Sequence, residues 1–281
     1  MGDFSAAWLR LREPVDHRAR SAALTRDVLR ALPPDDLRIL DLACGTGSNL
    51  RYVGGEILLF NTEISGRQKT RSDPDWLLVD NDRALLALVP LAPNVRAVEH
   101  DLRALDNHLF DGRSLVTASA LLDLVSESWL RELASQCCAH RSAALFALTY
   151  DGRLTFEPAE AEDALVRDLV NRHQKTDKGF GPALGPAAVA AAADLFRSMD
   201  YVVRIASSDW VLSRMSAPDE LQDRLIEGWA DAAAAVAPDR AAAVDGWRSK
   251  RLNHVATGRS LVTVSHQDLA AMPLEAISQT S

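Results

Sequence analysis

Apolar positions along this chain fall into short continuous runs separated by longer stretches with helical spacing. Across residues 16–31, Ala23, Leu24, Val28 and Leu29 recur at helical intervals among Arg and Asp, and Pro33-Pro34 stops the pattern. Residues 37–42 form an apolar run that enters a turn carrying Gly45 and Gly47, and helical character resumes at Ser48, which predicts strand, tight loop, helix. Further apolar runs at 76–80, 95–99, 114–119 and 143–150 predict strands, with helices over 83–89, ended by Pro90, and about 121–139. Strands alternating with helices at this spacing predict an α/β fold whose mostly parallel sheet carries helices on both faces.

After Tyr150 the rhythm changes. A polar helix over about 160–173 runs into residues 174–186, a loop with three Gly and two Pro whose polar cluster suits a functional segment. Then follow an Ala-rich helix at 187–199, a strand at 201–212, two helices at about 218–236 and 239–256, and a last strand at 261–265. The chain thus divides into an N-terminal helical segment, 1–36, an α/β domain, 37–266, with a helical insert at about 213–257, and a tail, 267–281, ordered only in part. Within 51–75, Gly54-Gly55, an apolar stretch at 57–60 and a polar run up to Asp75 read as a helix end plus a surface loop.

Composition narrows the partners. The 281 residues, 47% apolar and 25% charged, suit one soluble catalytic domain with a cap. A net charge of −8 lacks the positive field that a phosphate backbone needs, so nucleic acid is not an expected partner. No run approaches the roughly 18 to 20 apolar residues of a membrane span, and the first residues lack a basic region followed by an apolar one; both point to a cytoplasmic protein with no membrane partner. Cys44, Cys137 and Cys138 form no metal spacing and read as reduced thiols, so no metal site is expected. There are no coiled-coil heptads from which to read an oligomeric state.

The turn after residue 42 carries the most specific chemistry. Gly45 and Gly47 lack a Cβ and tolerate positive φ, so backbone can approach a ligand closely there. A dinucleotide fingerprint needs a third glycine three residues after the second, and position 50 is Leu, which weakens a nicotinamide reading. The stretch Ile39-Leu-Asp-Leu-Ala-Cys-Gly-Thr-Gly-Ser-Asn49 resembles the first motif of class I S-adenosylmethionine-dependent methyltransferases, with Ala43 in place of the motif's first glycine. Asp80-Asn81, at the end of the second predicted strand, matches the family's ribose-binding acid, and a carboxylate's two acceptor oxygens suit a vicinal diol. Asp101-Leu102 matches its adenine-side acid, and residues 115–124, passing through Ser119, resemble the segment that runs beneath the cofactor.

The resemblance implies a Rossmann-like doubly wound sheet of seven strands with an antiparallel final strand. It further implies an S-adenosyl-L-methionine site built from Asp41, Ala43, Gly45, Gly47, Asn49, Asp80, Asn81, Asp101, Leu102 and Ser119. Trp8, Arg12, Asp16 and Arg18 stand where the leading helices of similar enzymes fold over the cofactor's methionine end.

Methyl transfer from a sulfonium needs an acceptor held in line, and a base only when the acceptor carries a proton. Asp123, Tyr150 and Asp151, near the carboxyl ends of the strands, are the candidates for that base. His173, Lys175 and Lys178, ahead of Gly179-Phe-Gly181, suit a lid that grips a small, anionic acceptor. Trp210 and Trp229 are candidates for an acceptor wall or for ordinary core, and His266 has no assigned role. The expected function is O- or N-methylation of a small molecule. Cofactor binding without catalysis and a nicotinamide-dependent oxidoreductase are the alternatives.

Overall fold

The structure is a computed structural model that describes residues 5–64 and 72–274. Two helices, α1 (Ala6–Ala19) and α2 (Ala22–Ala31), lead into β1 (Arg38–Leu42), α3 (Ser48–Ile64), β2 (Asp75–Asp80), the short α4 (Arg83–Leu86), β3 (Val95–Glu99) and β4 (Leu115–Ser119). Then come α5 (Glu127–Ala139), β5 (Ala143–Glu157), α6 (Asp163–Gln174), α7 (Ala188–Ser198), β6 (Tyr201–Ser207) and β7 (Trp210–Ser213). The helices α8 (Asp219–Val236) and α9 (Ala241–Ala256) precede β8 (Leu261–Pro273). Among the described residues no helix is long and apolar enough to cross a membrane.

The strand order is β3-β2-β1-β4-β5-β8-β6, with β7 also paired to β8. Strands β1 to β5 are parallel, and β8 runs antiparallel to β5, β6 and β7. Because β6 pairs with residues 267–273 of β8 and β7 with 261–264, the two share one edge position. Among the described residues eight strands therefore fill seven positions, and the single strand expected at 201–212 is broken at Ser208-Asp209. The Asp209 carboxylate accepts the His266 amide at 3.0 Å there, so a side chain takes the place of a ladder bond.

Side chains alternate between the two faces, as period 2 requires. Ile39, Trp76, Leu78 and Leu145 pack under α2 and α3, whereas Leu40, Leu42, Val79, Val116 and Phe146 pack under α5 and α7. With both faces covered, β1, β2, β4 and the first half of β5 read as continuous apolar runs, which is why they were visible in the sequence. A third cluster joins the outer half of β5, β7 and the start of β8 to α6, α8 and α9, and this is the cap. Its polar centre is Asp163, which accepts from Trp247 Nε1 at 2.8 Å and Arg251 Nε at 3.1 Å; Arg251 also donates to the Pro158 carbonyl and lies against Phe156.

Several boundaries differ from the expectations. β5 does not end at Tyr150 but continues through Gly152, at φ +90°, to Glu157, with Leu154 and Phe156 buried between exposed Arg153, Thr155 and Glu157. That alternation marks a half-buried strand. The tail expected from 267 is instead the second half of β8, where Leu269, Ala270, Ala271 and Met272 are buried. Helix α3 runs straight through Gly54-Gly55, because Tyr52, Val53, Ile57 and Phe60 anchor it to the sheet; this offsets roughly 1 kcal/mol of lost propensity per glycine. The remainder of the surface loop expected in 51–75 falls largely at 65–71, outside the described residues. The helix expected from 121 begins at Glu127, capped by Ser126, after a separate turn at Leu122–Leu124.

Candidate functional site

A cleft of about 480 Å³ opens at the carboxyl ends of β1, β2 and β4, where the strand order reverses between β1 and β4. Open α/β sheets bind ligands at such a switch point. Asp41, Ala43, Gly45, Asn49, Asp80, Asn81, Asp101, Leu102 and Ser119 all line it. Gly47 does not. A Cβ built there would meet Arg51, Val89 and Pro90, so Gly47, at φ +80°, makes the turn rather than the ligand wall.

The loop is tied to β2: the Cys44 amide donates to the Val79 carbonyl at 3.1 Å and the Gly45 amide to Asp80 Oδ2 at 2.8 Å, while Asp80 Oδ1 accepts from the Asp82 amide at 2.9 Å. Each carboxylate oxygen keeps a lone pair for a ligand. Behind the loop, Asn49 Nδ2 donates to Asp41 Oδ1 and Thr117 Oγ1, both at 2.8 Å, and Arg20 donates to Asn49 Oδ1. Asn49 thus holds Asp41 in place. Burial pushes the Asp41 carboxyl up to about 7, and its Oδ2 has no partner among the described residues. Asp101 is exposed and pairs with Arg103, whose hydrogen bonds hold the carboxyl down at about 2. Arg103 was not singled out in the sequence, yet it lines the cleft beside Asp101.

Helix α1 forms the roof. His17 Nε2 meets Ser48 O at 3.1 Å, and Arg51 bridges Glu13 at 2.6 Å to the Thr46 carbonyl at 2.7 Å, clamping the helix onto the glycine loop. Gly45 sits at φ +54°, a conformation that favours glycine, and a Cβ there would press on the Leu9 side chain at 3.0 Å. Of the leading-helix residues, Arg12 and Asp16 line the cleft as a buried pair, Nε to Oδ2 at 2.8 Å. Trp8 instead packs on the cap cluster, and Arg18 donates to the Ser216 carbonyl.

The three base candidates separate. Asp123 follows Leu121 and Leu122 off β4, is 6% exposed, and has no partner on Oδ1 among the described residues. Burial pushes its carboxyl up to about 6, opposed by the backbone amides of Asp123 itself and Tyr150 and by the charges of Arg12 and Lys178. Tyr150 is spent elsewhere: its hydroxyl donates to Asn171 Oδ1 at 2.9 Å, and burial raises its pKa, so it is unsuited to take a proton. Asp151 lies on the bulged part of β5 with its carboxylate bonded to Arg153.

The loop over residues 174–186 lies across the mouth. Gly179 and Phe180 line the cleft, and Asp177 Oδ1 accepts the amides of Gly179 and Gly181 at 2.6 and 3.0 Å. Lys178 Nζ meets His173 Nδ1 at 3.2 Å, and burial, with the positive charge of Lys178, lowers the His173 pKa. Lys175 is not brought to the site: it is exposed, and its stem packs on Gly185. Trp229 packs edge-on against Phe156 in the cap, so it is core. Among the described residues no group of His, Cys, Asp and Glu is placed to hold a metal ion.

No protein-family model matches this sequence, and no curated protein matches it. Among solved structures it is similar to the cyclopropane synthase MmaA2 from Mycobacterium tuberculosis, with 13% identity and a TM-score of 0.48 over 96% of this chain and 95% of that one. It is also similar to the YcgJ protein from Bacillus subtilis, with 12% identity and a TM-score of 0.44 over 89% and 98% of the two chains. A third is a SAM-dependent methyltransferase from Geobacter sulfurreducens in complex with S-adenosyl-L-homocysteine, with 13% identity and a TM-score of 0.41 over 90% and 91%.

Proposed function

We propose that this chain is an S-adenosylmethionine-dependent methyltransferase acting on a small-molecule acceptor. The observation that carries the reading is the Asp80 carboxylate at the end of β2, bonded to the Gly45 amide and facing the cleft, with Leu50 where a dinucleotide loop has glycine. The residues present fit such a cofactor. Asp80 would take the ribose hydroxyls, Asp101 and Leu102 the adenine, and Asp41, through its unpartnered Oδ2, the amino-acid end together with Arg12. When bound, the cofactor supplies a methyl group already attached to a good leaving group. The protein's part is to hold the acceptor in line and to receive its proton at Asp123.

Calorimetry separates this reading from the nicotinamide one: S-adenosylhomocysteine binds and NADH does not. The reverse result removes the proposal. Asp80→Ala loses charge-assisted bonds of about 1.5–3 kcal/mol, so the same titration should show about ten- to hundredfold weaker binding. Lys178 stands close enough to Asp123 to feel its charge and would grip an acceptor's anionic substituent. Lys178→Ala should raise the acceptor KM by about tenfold with cofactor affinity unchanged. An unchanged KM would sink the role given to the loop.

A further inference from the structure

Behind Arg12, on the cap side of the cleft, three buried polar atoms have no hydrogen-bond partner among the described residues: Asp123 Oδ1, Trp210 Nε1 and His266 Nδ1. Their residues are 6%, 3% and 7% exposed, and a buried polar group left unpaired costs about 1–3 kcal/mol, so a ligand that pairs with them is favoured there. They come from three separate elements, the exit of β4, β7 and β8. Arg12 links them to the cleft. Its guanidinium lies 5.0 Å over the Trp210 ring, pairs with Asp16, and acts electrostatically on both Asp123 and His266. The walls are flat: the rings of Trp210 and His266 are 5.1 Å apart, and those of Tyr150 and His266 are 6.2 Å apart.

Resting on the methyltransferase reading, we infer that this niche receives the acceptor as an aromatic hydroxyl compound, which makes the reaction an O-methylation. A hydroxyl pairs with two of the three open atoms. Its proton goes to Asp123 Oδ1, one lone pair accepts from Trp210 Nε1, and the other faces the cleft. In the transfer the O–H bond breaks and Asp123 takes the proton. The oxygen lone pair forms the O–CH3 bond, the C–S bond breaks, and its electron pair stays on sulfur, neutralising the sulfonium. An ammonium has no lone pair for the indole N–H, and a neutral amine has one, which attack on the methyl consumes. His266, held neutral by burial and by Arg12, adds no charge that would favour an anionic ring oxygen over the neutral hydroxyl.

The test uses the full chain saturated with S-adenosylhomocysteine and labelled with nitrogen-15 at tryptophan. Titration with phenol is expected to shift the Trp210 indole N–H resonance, assigned with Trp210→Phe, and anisole, which lacks the donor for Asp123, is not. An unmoved resonance, or equal shifts from both probes, overturns the inference. In parallel, the protein is incubated with methyl-carbon-13 cofactor and a metabolite extract. The labelled methyl is expected on oxygen, and Trp210→Phe should lower kcat/KM about tenfold with S-adenosylhomocysteine affinity unchanged. Label on nitrogen, carbon or sulfur, no label, or an unaffected Trp210→Phe overturns the niche while the methyltransferase reading stands on cofactor binding. Failure to bind S-adenosylhomocysteine at all removes both.

Discussion

Asp123→Asn is expected to lower kcat by about 10²- to 10⁴-fold, the usual worth of a positioned general base, with no change in the affinity for S-adenosylhomocysteine. The substitution is nearly isosteric and lies outside the cofactor cleft, so a parallel loss of cofactor binding would mean that the side chain shapes the fold instead. The pH dependence supplies a second readout. A base must be ionised to act, and burial places this carboxyl at about 6. Wild-type kcat/KM should therefore rise through pH 6 to a plateau, and the variant should lack that limb.

Stability should move the other way. A carboxyl whose folded pKa is raised from 3.8 to about 6 holds its proton more tightly in the fold than in the unfolded chain. Its contribution is fully present below the unfolded value and is lost as pH rises through about 6. At pH 8 Asp123→Asn should accordingly be more stable than wild type, by roughly 1–3 kcal/mol in a denaturant titration. A destabilised variant at that pH would show that Asp123 is a structural ion-pair partner rather than a group kept strained for chemistry.

Asp163→Ala should cost about 3–5 kcal/mol, the price of leaving a buried cation without its counter-charge. Arg251 is fully buried, and Asp163 supplies its carboxylate while also taking the Trp247 indole. The Pro158 carbonyl that Arg251 keeps is a neutral acceptor and does not replace the lost charge. Urea midpoints at constant slope measure the loss. A double variant, Asp163→Ala with Arg251→Met, should recover most of it, because the uncompensated charge is then gone. If the double variant were no better than the single one, packing around Asp163 would be the cause.

The donor half of the site was legible because it is local. Strand, glycine turn and helix start lie within residues 37–49, Asp80 and Ser119 each end a strand that reads as an apolar run, and Asp101 follows another by two residues. Gly47 was misplaced because a glycine that makes a turn and one that lines a cleft look alike without the neighbouring Val89 and Pro90. The roof was not legible in its contacts, since His17 to Ser48 and Glu13 to Arg51 join residues over 30 apart with ordinary surface spacing. Tyr150 looked free at a strand end because its partner, Asn171, comes from α6. The extension of β5 was readable in the alternation of 153–157, but the apparent stop at Asp151-Gly152 masked a bulge. The second half of β8 was lost for a similar reason: Gln267 and Asp268 look like the start of a polar tail. Asp268 is in fact fully enclosed, accepting the amides of Ser21 and Leu148 at 2.9 Å.

That placement of β8 sets the order of assembly. It is the last of the described strands in chain order yet lies inside the sheet, between β5 and β6. On a growing chain, β1 to β5 can pair as they emerge, but β5 is left with an open edge and β6 and β7 with nothing to lie against. The bonds from Asp268 to the start of α2 and to the kink at Leu148, which steady the region behind the glycine loop, also wait for β8. Closure is thus a long-range event that couples the first helices to the final strand. Until it occurs the nascent protein has a partly built sheet, an exposed edge and no finished cleft, which makes that interval its window of vulnerability to aggregation.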